Sequence, residues 1–187
     1  MPASLYVFMG MIASGKSTLA KAFAREFSLP YYNTDVVRKE LAGKSPESRQ
    51  GSSLNQGIYT PEFSRLTYDT LLDHAGRELA LHRSVVLDGS YHRRAERQRL
   101  VQRAAECRAP LFFILCRCDD EETARRLALR AKNPHAVSDG TWEIYQRQKE
   151  SFEFPGELSP SSLIIMDTSG SVAVLLRKLT DILAKNR

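Results

Sequence analysis

The chain is poor in cysteine. Of its 187 residues only Cys107, Cys116 and Cys118 are cysteines. That is an odd set, and its C-x-C pair is not a zinc spacing, so neither a disulfide framework nor a zinc site is expected. Cys116 and Cys118 lie two apart at the end of an apparent strand and point to one face, as buried reduced thiols. No apolar run approaches the length that spans a bilayer. Met1-Pro2-Ala3-Ser4 runs straight into an apolar strand and leaves no room for a signal peptide, so the expected location is the cytoplasm. Internal repeats and low-complexity tracts are also missing, which excludes repeat architectures. Excess charge is small: 27 Lys and Arg against 22 Asp and Glu give a net +5. That balance permits a polyanionic partner without demanding one. The length suits one α/β domain with a real core, whereas two domains would be cramped.

What is present is concentrated near the start. Gly10-Met11-Ile12-Ala13-Ser14-Gly15-Lys16-Ser17 reads G-x-x-x-x-G-K-S, the phosphate-binding P-loop. The apolar run Leu5–Met9 precedes it, and a segment with helical apolar spacing, Thr18–Phe27, follows it. Strand, loop and helix are the context that the motif requires. In such a loop, successive backbone N–H groups form a nest for polyphosphate oxygens, and a helix points its positive end at the same place. Gly10 and Gly15 allow close backbone approach. Lys16 reaches the outer phosphates, and the Ser17 hydroxyl suits Mg²⁺. Gly10, Ala13, Ser14, Gly15, Lys16, Ser17 and Thr18 are therefore the expected nucleotide set, with ATP and Mg²⁺ as the expected cofactors.

Hydrophobic patterning predicts five short strands: Leu5–Met9, Tyr31–Asn33, Ser84–Leu87, Leu111–Cys116 and Leu163–Met166. Helices are predicted over Lys16–Phe27, Val36–Leu41, Pro61–Leu81, Arg93–Cys107, Asp119–Arg130, Thr141–Phe152 and Val172–Lys185. Alternating strands and helices argue a doubly wound parallel sheet, with ligands at the carboxyl ends of the strands. Gly43–Thr60 reads as an irregular loop, and Ala131–Gly140 as the tip of a lid spanning about 119–152.

Beyond the P-loop, Asp35 follows the second strand and opens onto the same sheet edge. A carboxylate there can take the proton of an attacking hydroxyl. Arg38, one helical turn on, can clamp the acceptor. Both also suit bland roles, Asp35 as a helix N-cap and Arg38 as a solvated side chain. Asp88 ends the third strand, where it can serve Mg²⁺, hold the acceptor or cap a loop. Gly89-Ser90 follows it where an ATPase motor would place a water-orienting Glu. Arg126 and Arg130 share one face of the helix leading to the lid tip and suit transition-state neutralisation, with Lys16. Arg125 lies off that face. Arg93 and Arg97 are the members of a basic helix nearest Asp88, and Arg97 is expected to touch substrate. Tyr59, Thr67 and Tyr68 suit either an acceptor pocket or the core. Asp167-Thr168-Ser169-Gly170 spells a D-x-x-G switch, but no N-K-x-D guanine reader follows, so it reads as a strand-to-helix turn near the nucleotide base.

These residues resemble the small P-loop kinases of the nucleotide-kinase-like group, in particular the AAA_33 type. The likeness rests on the P-loop, Asp35–Ala42 (D-V-V-R-K-E-L-A), Thr67–Leu72, Val85–Asp88 (V-V-L-D), the arginine helix after it, Ser138-Asp139 and Gln148. It covers nearly the whole chain. The resemblance implies a three-layer fold with strand order 2-3-1-4-5 and an arginine-bearing lid, all within one domain over 1–187. Asp35 and Arg38 are similar to the D-x-x-R of polynucleotide 5′-kinases and zeta-type toxins. Ser90 to Arg97 is similar to a segment of gluconate kinases, which lack the Asp35–Arg38 spelling. The resemblance implies an ATP- and Mg²⁺-dependent phosphotransferase. Its acceptor would be a small molecule or the 5′-hydroxyl end of a polynucleotide. The competing class is a nucleotide-binding switch or ATPase module that regulates a partner.

Overall fold

The computed structural model describes residues 2–45, 57–132 and 141–186. Its strands are β1 (Leu5–Met9), β2 (Tyr31–Asn33), β3 (Val85–Asp88), β4 (Leu111–Arg117) and β5 (Leu163–Asp167). The helices are α1 (Lys16–Glu26), α2 (Thr34–Leu41), α3 (Pro61–Ala80), α4 (Arg94–Glu106), α5 (Asp120–Ala131), α6 (Trp142–Ser151) and α7 (Val172–Lys185). Every strand pair is parallel, and the order is β2-β3-β1-β4-β5, as the resemblance implied. The elements fall within two residues of the sequence expectation. The largest shift is α2, which starts at Thr34 because Asn33 caps it.

Parallel strands covered on both faces need apolar side chains at every position. All five residues of β1 are buried. Alternate residues then build two separate cores. Leu5, Val7, Met9, Val85, Leu87, Phe113 and Leu115 pack against Leu71, Ala75 and Leu79 of α3 and Leu100 and Ala104 of α4. Tyr6, Phe8, Val86, Phe112, Ile114, Ile164 and Met166 pack against Leu19, Ala20 and Phe23 of α1 and Leu175, Leu179 and Leu183 of α7. A third, smaller cluster of Ile12, Ala13, Leu127 and Tyr145 seats α5 and α6 on the loop after β1. α5 and α6, where the sequence suggested a lid, are thus part of the packed structure.

The irregular stretch after α2 is described at residues 43–45 and 57–60, where Gly57–Tyr59 makes one 3-10 turn. The rest of that expected loop, residues 46–56, lies outside the described residues, as does the lid tip at 133–140 with Ser138 and Asp139. The three cysteines are free, and burial raises the Cys116 thiol to about 12, so it stays protonated and inert. No helix of the described residues is long and apolar enough to cross a membrane.

Phe113 sits in the central part of the sheet with no exposure. Truncation there leaves a cavity between β4 and α3, so Phe113→Ala is expected to lower stability by about 3–5 kcal/mol in urea unfolding.

Candidate active site

The β1–α1 loop carries the site. Gly10 has φ 142°, and a Cβ there would lie 2.4 Å from the Cys116 carbonyl oxygen, so only glycine fits. Gly15 turns at φ 80° and precedes Lys16, the first residue of α1. The first turn of α1 holds no acidic side chain, so the positive end of the helix faces the loop uncompensated. Lys16 Nζ donates to the Met11 carbonyl at 3.3 Å and so arches across the loop. Ser14 is buried, Ser17 half-buried and Thr18 exposed beside it.

The loop is braced from three sides. Thr168 Oγ1 donates to the Ser14 carbonyl at 2.6 Å. Arg126 Nη1 donates to the Ala13 carbonyl at 3.2 Å and Nη2 to the Thr168 carbonyl at 2.6 Å. The Ile12 N–H donates to Gln148 Oε1 at 2.8 Å. Thr168 belongs to the D-x-x-G turn, so that turn supports the phosphate loop and is not a switch. Only its place near the nucleotide was readable from sequence, because the contact joins residues 154 positions apart.

Arg126 lies against the phosphate loop, its guanidinium engaged by Glu122, Ala13 and Thr168. Arg130, one turn on, is half-buried; burial lowers its pKa from the ordinary value, and the Asp35 charge opposes that shift. Arg125 pairs with Glu122 on the solvent side.

Asp35 stands in the first turn of α2. The cap itself is Asn33, whose Oδ1 accepts from the N–H groups of Asp35 at 2.9 Å and Val36 at 3.1 Å. Capping thus leaves the Asp35 carboxylate available. Arg38 Nη1 lies 4.0 Å from Asp35 Oδ1. Burial raises the Asp35 pKa above the ordinary carboxylate range, while Arg38 and Lys16 pull it down. Arg38 is buried, with its guanidinium 5.0 Å from the centroid of the Tyr59 ring. It is not the solvated side chain of the bland reading.

Asp88 is wholly buried. Its Oδ2 accepts from Tyr31 Oη and Asn33 Nδ2, both at 2.6 Å, whereas Oδ1 has no partner. Asp88 is not among the residues that line the cavity described below. An orphaned carboxylate oxygen near a P-loop suits a cation. Mg²⁺ takes one or two carboxylates plus substrate phosphates, so Asp88 and Ser17 fit it. Gly89 follows, and a Cβ there would lie 2.6 Å from Thr34 Cγ2, so any larger residue would require Thr34 to shift.

Arg97, expected to touch substrate, is fully buried and outside the cavity lining; it donates to Glu157 Oε1 at 2.6 Å and to the Tyr91 carbonyl at 2.9 Å, and ties the segment after α6 to α4. Arg93 is the extended N-cap of α4, with ψ 136°. Arg93 lines the cavity instead. Thr67 is core, with its hydroxyl donating to the Phe63 carbonyl.

Beside the P-loop lies a cavity of about 1000 Å³. Lys16 and Asp35 both line it. Arg38, Ser64, Tyr68, Ser90, His92, Arg93, Glu96, Arg147 and Gln148 are among its walls. Glu96 and Arg147 had no sequence signal beyond their place on polar helix faces.

Fold and loop together define a P-loop nucleotide-binding protein. More particularly, the chain belongs to the AAA_33 family, whose model, described as an AAA domain, matches residues 5–155. It is similar to the shikimate kinase of Xylella fastidiosa (strain M12), with 30% identity over 103 residues. That match spans only about half of the curated relative, 54% of each protein. An unliganded sugar kinase from Janibacter sp. HTCC2649 has the same fold, with TM-score 0.70 and 21% identity over 99% of this chain and 98% of that one. A gluconokinase from Sinorhizobium meliloti 1021 gives TM-score 0.62 and 22% identity over 98% and 93%.

Thr168→Val removes the donor to the Ser14 carbonyl and should loosen the loop. A hydrogen bond of about 1 kcal/mol corresponds to roughly fivefold weaker binding of a non-hydrolysable ATP analogue, read by calorimetry.

Proposed function

We propose that this chain is an ATP- and Mg²⁺-dependent kinase that transfers the γ-phosphoryl group to a hydroxyl of a small acceptor. The observation that carries this reading is that Lys16 and Asp35 line one cavity, with Asp35 held between the charges of Lys16 and Arg38. The P-loop holds the triphosphate, Arg38 orients the acceptor, and Asp35 takes the proton as the hydroxyl oxygen attacks the γ-phosphorus and ADP leaves. Mg²⁺, held by Ser17 and Asp88, would neutralise charge on the phosphates. Phosphoryl transfer asks little covalent chemistry of a protein, so positioning and charge suffice. Arg130, on which the Asp35 charge acts, would neutralise charge near the reacting groups. Residues 1–187 act in this reading as one domain, with α5 and α6 as the lid, working on cytoplasmic ATP.

A small acceptor is favoured over a polynucleotide end. The cavity has the size of a small-molecule site. Its two tyrosines do not make a stacking platform: Arg38 covers Tyr59, while Tyr68 meets the Tyr91 ring and bonds to Ser90. The motor reading loses ground because glycine stands at 89 in place of the carboxylate that would orient water, and a larger residue there would require Thr34 to shift.

In an assay of ADP release with Mg²⁺ against a panel of hydroxylated acceptors, Asp35→Asn should lower stimulated turnover by about a hundredfold or more. Binding of the ATP analogue should persist. Stimulated turnover that survives the substitution would remove Asp35 as base. The wild-type rate should also fall as pH drops through the raised Asp35 pKa, because the protonated carboxyl no longer accepts a proton. The acid limb of the pH profile is therefore expected above the ordinary carboxylate value.

A further inference from the structure

The peptide unit between Met11 and Ile12 is held at both ends. Lys16 Nζ donates to its carbonyl oxygen at 3.3 Å, and its N–H donates to Gln148 Oε1 at 2.8 Å. The oxygen and nitrogen of one peptide are about 2.3 Å apart, so Lys16 Nζ and Gln148 Oε1 are separated by at most about 8 Å. Both residues line the cavity beside the P-loop.

A backbone N–H can only donate, so it fixes which end of the Gln148 carboxamide faces the loop. Oε1 is turned to Ile12, and Nε2 with its two N–H groups is the end left over. Nε2 makes no hydrogen bond among the described residues and is not sealed from solvent. The side chain itself is half-buried, and α6 holds it in place. Tyr145, one turn before it, is buried in the cluster with Ile12 and Ala13. Tyr145 Oη and Lys149 Nζ donate to Asp120 of α5 at 2.6 and 2.7 Å. Ile144, Arg147 and Ser151 accompany Gln148 in the cavity wall.

Gln148 thus withdraws one N–H from the loop that cradles phosphate, and its carboxamide offers two others in exchange. Open N–H donors ask for an oxygen acceptor. Lys16, fixed to the same peptide, is the residue of the motif that reaches the outer phosphates. Two donors about 8 Å apart or less can share one phosphoryl group, each bonding a different oxygen at about 2.8 Å. Next to a lysine, an anionic oxygen is the acceptor that the local charge favours.

We propose that Gln148 is a further catalytic residue, whose Oε1 holds the phosphate loop while its Nε2 donates to an oxygen of the γ-phosphoryl group. This deepens the kinase reading above and rests on it.

The test uses the full chain with Mg²⁺. ADP and the non-hydrolysable ATP analogue differ by the γ-phosphoryl group, and calorimetry gives a Kd for each. The ratio of the two Kd values is the readout, because a general loosening of the loop weakens both ligands alike. Gln148→Glu has the same length and still accepts from the Ile12 N–H, but an anionic oxygen replaces the donor. It should weaken the analogue about tenfold or more and ADP by less than about threefold. Gln148→Ala removes brace and donor together, so it should weaken both ligands and still weaken the analogue more. An unchanged ratio in either folded variant overturns the proposal and leaves Gln148 as a brace alone, whatever the melting temperature does. Should Gln148→Glu not fold, the ratio in Gln148→Ala decides. A wild-type chain that binds neither nucleotide overturns the proposal as well. ADP release with the acceptor panel is read separately. A ratio that shifts with Gln148 while no acceptor stimulates turnover upholds the γ-phosphoryl contact and sinks the kinase reading instead.

Discussion

Asn33 is the joint on which the site depends. Its Nδ2 donates to Asp88 at the end of β3, while its Oδ1 caps the helix that carries Asp35. One amide thus sets the distance between the buried carboxylate that suits a cation and the partly exposed carboxylate that suits an acceptor. Strand register makes this possible, because Asn33 lies directly beside Asp88 in the parallel β2–β3 pair. Tyr31, two residues earlier on the same face of β2, adds a second donor to the same Asp88 oxygen. A buried carboxylate with two donors on one oxygen and none on the other is held in a fixed orientation, with its open side turned to one place.

The phosphate loop is governed by a different constraint. A nest of backbone groups binds only while its shape is kept, and glycine, which permits that shape, does nothing to hold it. Rigidity comes from outside the motif, from Thr168 after β5, Arg126 on α5 and Gln148 on α6. Two of these three stand on the lid helices. The small apolar cluster of Ile12, Ala13, Leu127 and Tyr145 repeats the link in hydrophobic form. The packing of α5 and α6 and the order of the phosphate loop are therefore linked through direct contacts. Arg130 then sits one helical turn beyond a fixed point, on the part of α5 nearer the lid tip.

The local half of this site was readable in advance. The P-loop, the strand before it and the helix after it share a short stretch of chain, and their geometry follows from glycine placement and hydrophobic period. The five strands were legible for the same reason: buried parallel strands are short apolar runs bounded by polar turns. Asp35 and Arg38 were legible as a pair because helical spacing relates them directly. Long-range partners were not legible. Arg97 was singled out for its closeness to Asp88 along the chain, and its partners Glu157 and the Tyr91 carbonyl bury it instead. The carbonyls of Ala13 and Thr168 that hold the Arg126 guanidinium lie far from it in sequence. Asp35 suited both a base and a helix cap in the sequence, and Asn33, one strand end earlier, fills the cap.

The sequence by itself determined the fold class, the nucleotide loop and the identity of one candidate base, because each depends on residues close together along the chain. Tertiary structure alone decided which oxygen of Asp88 stays open and which arginine braces the loop. It alone brought Glu96 of α4 and Arg38 of α2 to one cavity. Those outcomes depend on hydrogen-bond competition among groups from different elements. A side chain with several donors goes to whichever acceptors the packing of the sheet and its two helical layers brings within reach, and sequence spacing does not encode that choice.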